Sequence, residues 1–191
     1  TIKNGLGSDV TSFYSINIIK GFLTVEKRKL LVSTPSESQV YNGEYIFNIN
    51  FTLLSGSLAN GEEFVVNAFQ SIKDVGKVDN DMIIDVVKNN QLVSHNYDIT
   101  LIKGSLEITP KPVEIITANF EGVYNGLEQY NENYTISGLI NGEYALLKNH
   151  NGRTDVGESP NYLSFAIFND QTETTSNYLV NYNYGVLKIT Q

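Results

Sequence analysis

Asn96-Tyr97, followed by Gly104-Ser105-Leu106-Glu107-Ile108-Thr109, returns as Asn177-Tyr178, followed by Gly185-Val186-Leu187-Lys188-Ile189-Thr190, a step of 81 residues. Within the shared stretch Leu106 and Ile108 alternate with Ser105, Glu107 and Thr109, the period-two pattern of a half-buried strand. A strand that recurs at this spacing predicts an all-β chain built from repeats of about 80 residues, each large enough to be a small domain. Working outward, Tyr41-Asn42-Gly43 recurs as Tyr124-Asn125-Gly126 at a step of 83, and Asp74-Val75-Gly76 as Asp155-Val156-Gly157 at a step of 81. A partial third copy opens the chain: Tyr14, Gly21, Leu23 and Val25 stand 83 before Tyr97, Gly104, Leu106 and Ile108.

Residue types between these landmarks favour strands. Val, Ile, Thr, Tyr and Phe recur in short runs divided by Asn-Gly turns at residues 4, 42, 60, 125, 141 and 151, and Asn-Gly tolerates the positive φ of a tight turn. No stretch keeps an apolar period of 3.6 long enough for a substantial helix, although one or two helical turns fit Glu62–Asn67 or Tyr144–Lys148. Expected strands in the first copy are Lys29–Ser33, Ile49–Leu54, Glu63–Phe69 and Met82–Val87, then a closing hairpin of Tyr97–Ile102 and Ser105–Thr109. In the second they are Pro112–Ile116, Glu132–Ser137, Tyr144–Asn149 and Leu163–Phe168, then Tyr178–Asn183 and Val186–Thr190.

The domain plan is therefore residues 1–26 as the closing hairpin of a preceding repeat, 27–109 as a first repeat domain and 110–191 as a second. Thr109-Pro110-Lys111-Pro112 reads as a short, stiff linker, and two beads so joined form an elongated array. Each bead is a small β-sandwich or a β-grasp-like sheet with one short helix. The chain opens inside a repeat, which suggests a piece of a longer protein. An isolated hairpin is marginal in water, so residues 1–26 are expected to be disordered, to pack on the next domain or to pair with another strand edge.

Composition narrows the function. With 13 basic against 21 acidic residues, a net charge of −8 and a pI near 4.7, nucleic acid and anionic membrane surfaces are poor partners. No apolar run approaches a membrane span. Cysteine is absent, so disulfides, thiolate metal sites and cysteine nucleophiles are excluded.

In order, the second copy reads Lys111-Pro112-Val113-Glu114-Ile115, Val123-Tyr124-Asn125-Gly126, Tyr134 to Glu143 (Tyr-Thr-Ile-Ser-Gly-Leu-Ile-Asn-Gly-Glu), Asp155-Val156-Gly157, Ser176-Asn177-Tyr178 and Tyr184-Gly185-Val186-Leu187-Lys188-Ile189-Thr190. This order resembles the MBG/YDG-type repeats of bacterial surface proteins and adhesins. The first copy departs at Gly56-Ser57-Leu58-Ala59, and residues 1–26 carry only the last third. The resemblance implies tandem β-domains on cell-wall-associated proteins, extracellular and of Gram-positive type, working as a semi-rigid stalk or spacer. It brings no catalytic residues. The alternative is an adhesion module with weak affinity per repeat for host glycan or protein, multiplied by avidity. An exposed aromatic patch kept in both repeats favours binding, and a uniformly polar surface favours the spacer.

Candidate sites are few, and no enzyme activity, cofactor or metal is expected. Tyr41 and Tyr124 either offer an aromatic ring beside an amide to a sugar or lie packed beneath their turns, and their repetition favours the structural role. Tyr97 and Tyr178 read as structural, whereas Tyr184, whose counterpart in the first copy is Lys103, reads as a contact residue. His95 and His150 occupy unmatched positions and read as loop residues without a triad around them. Asp79-Asn80-Asp81 is rich in oxygen, but the other copy has Pro160-Asn161-Tyr162 there, so a solvated turn is expected rather than a calcium loop. Asn50-Phe51-Thr52 and Asn133-Tyr134-Thr135 are matched sequons whose aromatic residues are expected to face the core. A Lys–Asn isopeptide at Lys29 is excluded as a shared device, because Pro112 replaces it in the second copy.

Overall fold

Each repeat is organised around two stretches of chain that run side by side and parallel, bend together, and continue. The computed structural model describes residues 1–191. In the first repeat the strands are β1 (Arg28–Ser33), β2 (Glu37–Val40), β3 (Thr52–Ser55), β4 (Glu63–Phe69), β5 (Gly76–Asn80), β6 (Met82–Lys88), β7 (Gln91–Leu92), β8 (Tyr97–Ile102) and β9 (Gly104–Thr109). The second repeats them as β10 (Lys111–Thr117), β11 (Phe120–Val123), β12 (Tyr134–Ser137), β13 (Glu143–His150), β14 (Gly157–Pro160), β15 (Leu163–Asn169), β16 (Thr172–Glu173), β17 (Tyr178–Asn183) and β18 (Val186–Thr190). β1 pairs parallel with β8 from Arg28↔Tyr97 to Ser33↔Ile102, and their continuations β2 and β9 pair parallel from Glu37↔Leu106 to Val40↔Thr109.

The bend is locked by one buried threonine and one buried asparagine. Thr34 Oγ1 donates to the Asn80 carbonyl at 2.7 Å and accepts from the Gly104 amide at 2.9 Å, while Asn80 Nδ2 donates to the Pro35 carbonyl at 2.9 Å. Thr117, Asn161, Ala118 and Gly185 repeat the device in the second copy. The glycine is required by contact, not by turn geometry. A Cβ on Gly104 would overlap the Pro35 carbonyl, and one on Gly185 the Ala118 carbonyl.

Three three-stranded sheets result in each repeat, ordered β3-β1-β8, β4-β6-β7 and β2-β9-β5, with the same orders in the second copy and no sheet crossing Pro110. Leu30 and Val32 of β1 pack with Met82, Ile84 and Val86 of β6, so the first two sheets face each other over the core. Burying side chains of this size contributes about 1.5–3 kcal/mol each. In the second repeat Val113, Ile115, Leu163, Phe165 and Ile167 do the same work, but their cluster does not stop at Pro110. It includes Tyr41, Ile46, Leu106 and Ile108 of the first repeat.

The structure corrects several expectations. The closing segment is not a hairpin: β8 and β9 lie in different sheets, because the chain crosses from one to the other at Lys103-Gly104. Glu63–Asn67 and Tyr144–Lys148 form strand rather than helical turns, Glu62 lies just ahead of β4, and no α-helix accompanies the sheets. A β-grasp-like arrangement with one short helix is therefore not what these residues build. β2, β5 and their counterparts went unread because they are short and polar. Phe51 and Tyr134 are half-buried against the core, as their sequon positions suggested.

Residues 1–14 copy the end of a repeat in detail. The 3-10 turns Thr11–Phe13, Ser94–Asn96 and Thr175–Asn177 are equivalent, and in each the leading hydroxyl accepts a backbone amide at 2.8 Å, from Ile2, Val86 and Ile167 respectively. Residues 15–27 form no strand and make no hydrogen bond, since residues 1–13 supply no counterpart of β1, β2 or β5 to pair with them.

Candidate functional site

Two features stand out: the junction between the repeats and an aromatic hollow that both repeats carry. The junction is made from the repeated motifs themselves. At the trailing end of the first repeat, Asn42 Oδ1 accepts the Glu44 amide at 2.9 Å, closing the turn that delivers Tyr41. At the leading end of the second, the 3-10 turn before β17 ends in Asn177, β17 begins with Tyr178 and β13 begins with Glu143.

Tyr41 inserts between these groups. Its hydroxyl donates to Glu143 Oε1 at 2.8 Å, and its ring meets the Tyr178 ring edge-on at 5.4 Å. The Tyr178 hydroxyl donates to the other oxygen of the same carboxylate and accepts the Ile140 amide at 3.2 Å. Asn177 bridges in the opposite sense: Oδ1 accepts the Val75 amide at 2.8 Å and Nδ2 donates to Asp74 Oδ1 at 2.9 Å. Burial, followed by the adjacent Glu143 carboxylate, pushes the Tyr41 phenol up to about 12 and the Tyr178 phenol up as well. Both therefore stay protonated and donate throughout the physiological range.

The two Tyr-Asn-Gly turns have equivalent backbones, with φ of +81° at Gly43 and +78° at Gly126, and different surroundings. Tyr41 is 2% exposed and Tyr124 is 52% exposed. Burial thus comes from the neighbouring repeat and not from the turn, which corrects the reading of both tyrosines as packed beneath their own turns. The structural assignment of Tyr97 and Tyr178 is correct, as both are buried.

The hollow lies where β4 meets β6, and equivalently where β13 meets β15. In both repeats a register shift in that pairing, between Val66 and Ala68 or between Leu147 and Asn149, re-aims the end of the strand. In the first repeat Ala68, Phe69, Gln70, Asp81, Met82 and Ile83 line about 200 Å³. In the second, a hollow of about 260 Å³ is lined by His150, Asn151, Tyr162 and Tyr184 among others. An exposed aromatic pair borders each: Phe47 with Phe69 at 5.1 Å, and Tyr130 with His150 at 4.5 Å. In the first repeat the lining residue Asp81 pairs with Lys103 at 2.7 Å, and in the second the lining residues Tyr184 and Tyr162 meet edge-on at 4.7 Å. Tyr184 also stacks on Tyr182 at 5.3 Å, and burial then Tyr182 raise its phenol above the ordinary tyrosine value.

Of the three tyrosines named from sequence, Tyr184 belongs to the hollow, Tyr41 is committed to the junction, and Tyr124 projects from the trailing end of the second repeat. The structure does not bring them together. Sequence reading missed Glu143, Asn177 and Asp74 as a set, although each lies in a repeated motif. Asp79 and Asp81 face Lys103, while Asn80 turns inward to the Pro35 carbonyl. His150 packs on Tyr130 and lies 3.5 Å from Glu132. Comparison with known proteins found no matching family model, curated protein or solved structure.

Proposed function

We propose that this chain is a repeat segment of an extracellular bacterial surface protein or adhesin of the MBG/YDG type, and that its two β-repeats work in tandem as a semi-rigid spacer. The observation that carries this reading is the junction. Three side chains of the second repeat, Glu143, Asn177 and Tyr178, hold Tyr41, Asp74 and Val75 of the first. A linker with only Pro110 between β9 and β10 leaves little freedom for one repeat to swing against the other. Stiffness is useful to a stalk that projects a distal group. Small-angle X-ray scattering with light scattering tests it. A monomer about twice as long as one repeat, with no sign of hinge motion, is expected; a compact globule or a flexible pair of beads refutes the spacer.

A second reading, weak adhesion, is favoured by the aromatic hollow at the same place in both repeats. Aromatic faces beside amides suit sugar rings, and Tyr184 with Asn151 offers both. Titration with neutral oligosaccharides, followed by NMR, separates the two: shifts confined to residues 149–151, 162 and 184 and abolished by Tyr184→Ala support binding, and their absence leaves the spacer alone.

A further inference from the structure

Six Asn-Gly pairs punctuate the chain, and their hydrogen bonds divide them into two kinds. Asn4, Asn42 and Asn125 each accept the backbone amide two residues ahead through Oδ1, at 3.0, 2.9 and 2.9 Å. Asn151 is held at both ends, with Oδ1 accepting the Tyr162 amide at 2.7 Å and Nδ2 donating to the Pro160 carbonyl at 3.0 Å. The side chains of Asn60 and Asn141 bond to no group of the protein, and both pairs lie in exposed turns. We infer that Asn141-Gly142 is a site of spontaneous chemical modification, at which loss of the asparagine amide releases the two repeats from one another.

The reaction needs a nucleophile, a leaving group and water, and the turn offers all three. The Gly142 backbone nitrogen, on losing its proton to solvent base, attacks Asn141 Cγ. A C–N bond forms between them, the Cγ–Nδ2 bond breaks, and the nitrogen leaves as ammonia with a proton from solvent. Water then opens the five-membered imide at either carbonyl. Opening at Cγ leaves aspartate at position 141 with the main chain unchanged. Opening at the main-chain carbonyl leaves isoaspartate, with the chain running through Cβ and one carbon longer. Ring closure requires the side chain to swing onto the following nitrogen and the Asn141–Gly142 peptide to rotate. The turn resists little: it is closed by the Glu143 amide donating to the Ile140 carbonyl at 3.2 Å, the long end of the hydrogen-bonding range. Gly142 sits at φ +88° with nothing within reach of a Cβ, and glycine crosses φ without steric cost. The same motions at Asn42 and Asn125 break the side-chain bond that shapes the turn. At Asn151 they break two bonds, and Glu128 crowds the following Gly152.

Both feet of this turn stand in the junction. Ile140, on one side, donates its amide to the Tyr178 hydroxyl at 3.2 Å and lies against Gly43 of the first repeat. Glu143, on the other, accepts the hydroxyls of Tyr41 and Tyr178. An extra main-chain carbon between Ile140 and Glu143 cannot leave both in place, so the isoaspartyl chain loses the seat of Tyr41. Asn60-Gly61 is built in the same way. The Glu62 amide donates to the Ala59 carbonyl at 3.2 Å, the Ala59 amide donates to the Tyr97 hydroxyl at 2.9 Å, and that hydroxyl donates to Glu62. All of these groups belong to the first repeat, so the same chemistry there leaves the Tyr41 contact with Tyr178 intact. The two unheld asparagines therefore share a reaction and differ in its consequence.

The test ages the full chain in mildly alkaline buffer and follows each asparagine by peptide mapping, with enzymatic methylation of isoaspartyl carboxyl groups marking the lengthened main chain. Asn60 and Asn141 are expected to convert about five- to tenfold faster than Asn42, Asn125 or Asn151, the factor that one or two hydrogen bonds impose on reaching the closing geometry. Converted chains gain a negative charge and are separated by anion exchange. The Tyr178 ring-proton shifts, read by NMR, are expected to lose the contribution of the Tyr41 ring in aged native chain and in aged Asn60→Gln. Aged Asn141→Gln is expected to keep it, because the longer side chain closes its ring far more slowly. The inference is overturned if any of the held asparagines converts as fast as Asn141. It is equally overturned if chains carrying isoaspartate at position 141 keep the Tyr178 shifts of fresh protein, which would mean that the junction absorbs the extra carbon.

Discussion

Replacing the same tyrosine in the same turn of both repeats separates what the turn needs from what the junction needs. Tyr41→Ala removes a ring 2% exposed, an edge-on partner for Tyr178 at 5.4 Å and a donor to Glu143 at 2.8 Å. Truncating a buried aromatic side chain costs about 3–5 kcal/mol, and a hydrogen bond to a charged group accounts for about 1.5–3 kcal/mol within such totals. The Tyr178 hydroxyl keeps one bond to Glu143, so the carboxylate is not abandoned, and about 3–4 kcal/mol is the expected loss. Tyr124→Ala removes a half-exposed ring from an equivalent turn and is expected to cost less than about 1 kcal/mol. For a chain of this length, 1 kcal/mol shifts the midpoint by about 2–4 °C, so Tyr41→Ala lowers it by about 10 °C and Tyr124→Ala by a few degrees. Scanning calorimetry is the assay, because it also reads cooperativity. The core shared across Pro110 predicts one transition for the native chain and a separation into two for Tyr41→Ala. Equal losses in the two variants refute the reasoning, since they would mean that the ring serves its own turn.

Three further outcomes follow from the same contacts. Asn177→Ala strands the Val75 amide and Asp74 at the junction and is expected to cost about 2–3 kcal/mol in urea denaturation, whereas Asn96→Ala, at the exposed equivalent, stays within about 0.5 kcal/mol. Tyr41 has its folded pKa raised to about 12, above the ordinary value near 10, so its contribution is complete below about pH 10 and is lost as pH rises through about 12; native protein should lose about 2 kcal/mol more stability than Tyr41→Phe between pH 9 and pH 12, measured by urea midpoints. Gly104→Ala and Gly185→Ala drive a methyl group into the Pro35 and Ala118 carbonyls, and equal losses of about 2–3 kcal/mol in thermal melts are expected because both serve the bend inside a repeat.

The legible part of this fold was the part written in local pattern. Glu63–Phe69, Tyr178–Asn183 and Val186–Thr190 were found to the residue, because β-branched and aromatic residues alternate there between turn signals. β2 (Glu-Ser-Gln-Val) and β5 (Gly-Lys-Val-Asp-Asn) carry almost no apolar residues and exist because β9 lies between them. Their strand character is tertiary, so no window along the sequence holds it. The closing hairpin failed for a related reason. Two strands separated by Lys103-Gly104 resemble a hairpin in one dimension, yet Gly104 is there so that β9 can pass the Pro35 carbonyl into another sheet. The repeat itself held a signal that went unused. Tyr41, Asp74, Asn177 and Glu143 all lie in repeated motifs, two on each side of the boundary, as expected when a motif is kept to fit a neighbouring module.

That division explains why motif and core vary independently. Within a repeat, apolar positions exchange freely: Leu30 for Val113, Val32 for Ile115, Ile84 for Phe165. Packing tolerates such swaps when volume is roughly conserved across the cluster. The Tyr–Glu–Asn–Asp set tolerates none, because each hydrogen bond fixes a donor opposite an acceptor across the two surfaces that meet at the junction. Apolar burial at the internal junction, from Ile46, Ile72 and Ile140, adds strength. At the corresponding positions of the other copy stand Gln129, Arg153 and Ala59. The apolar contacts thus differ between copies while the polar pattern is the same. Ile140→Ala, which installs the residue its counterpart Ala59 already is, should therefore lower the urea midpoint while leaving the Tyr41 ring seated on Tyr178, as read by NMR from the ring-proton shifts of Tyr178. If the ring contact were lost as well, then the polar set would not be what fixes the register of the junction.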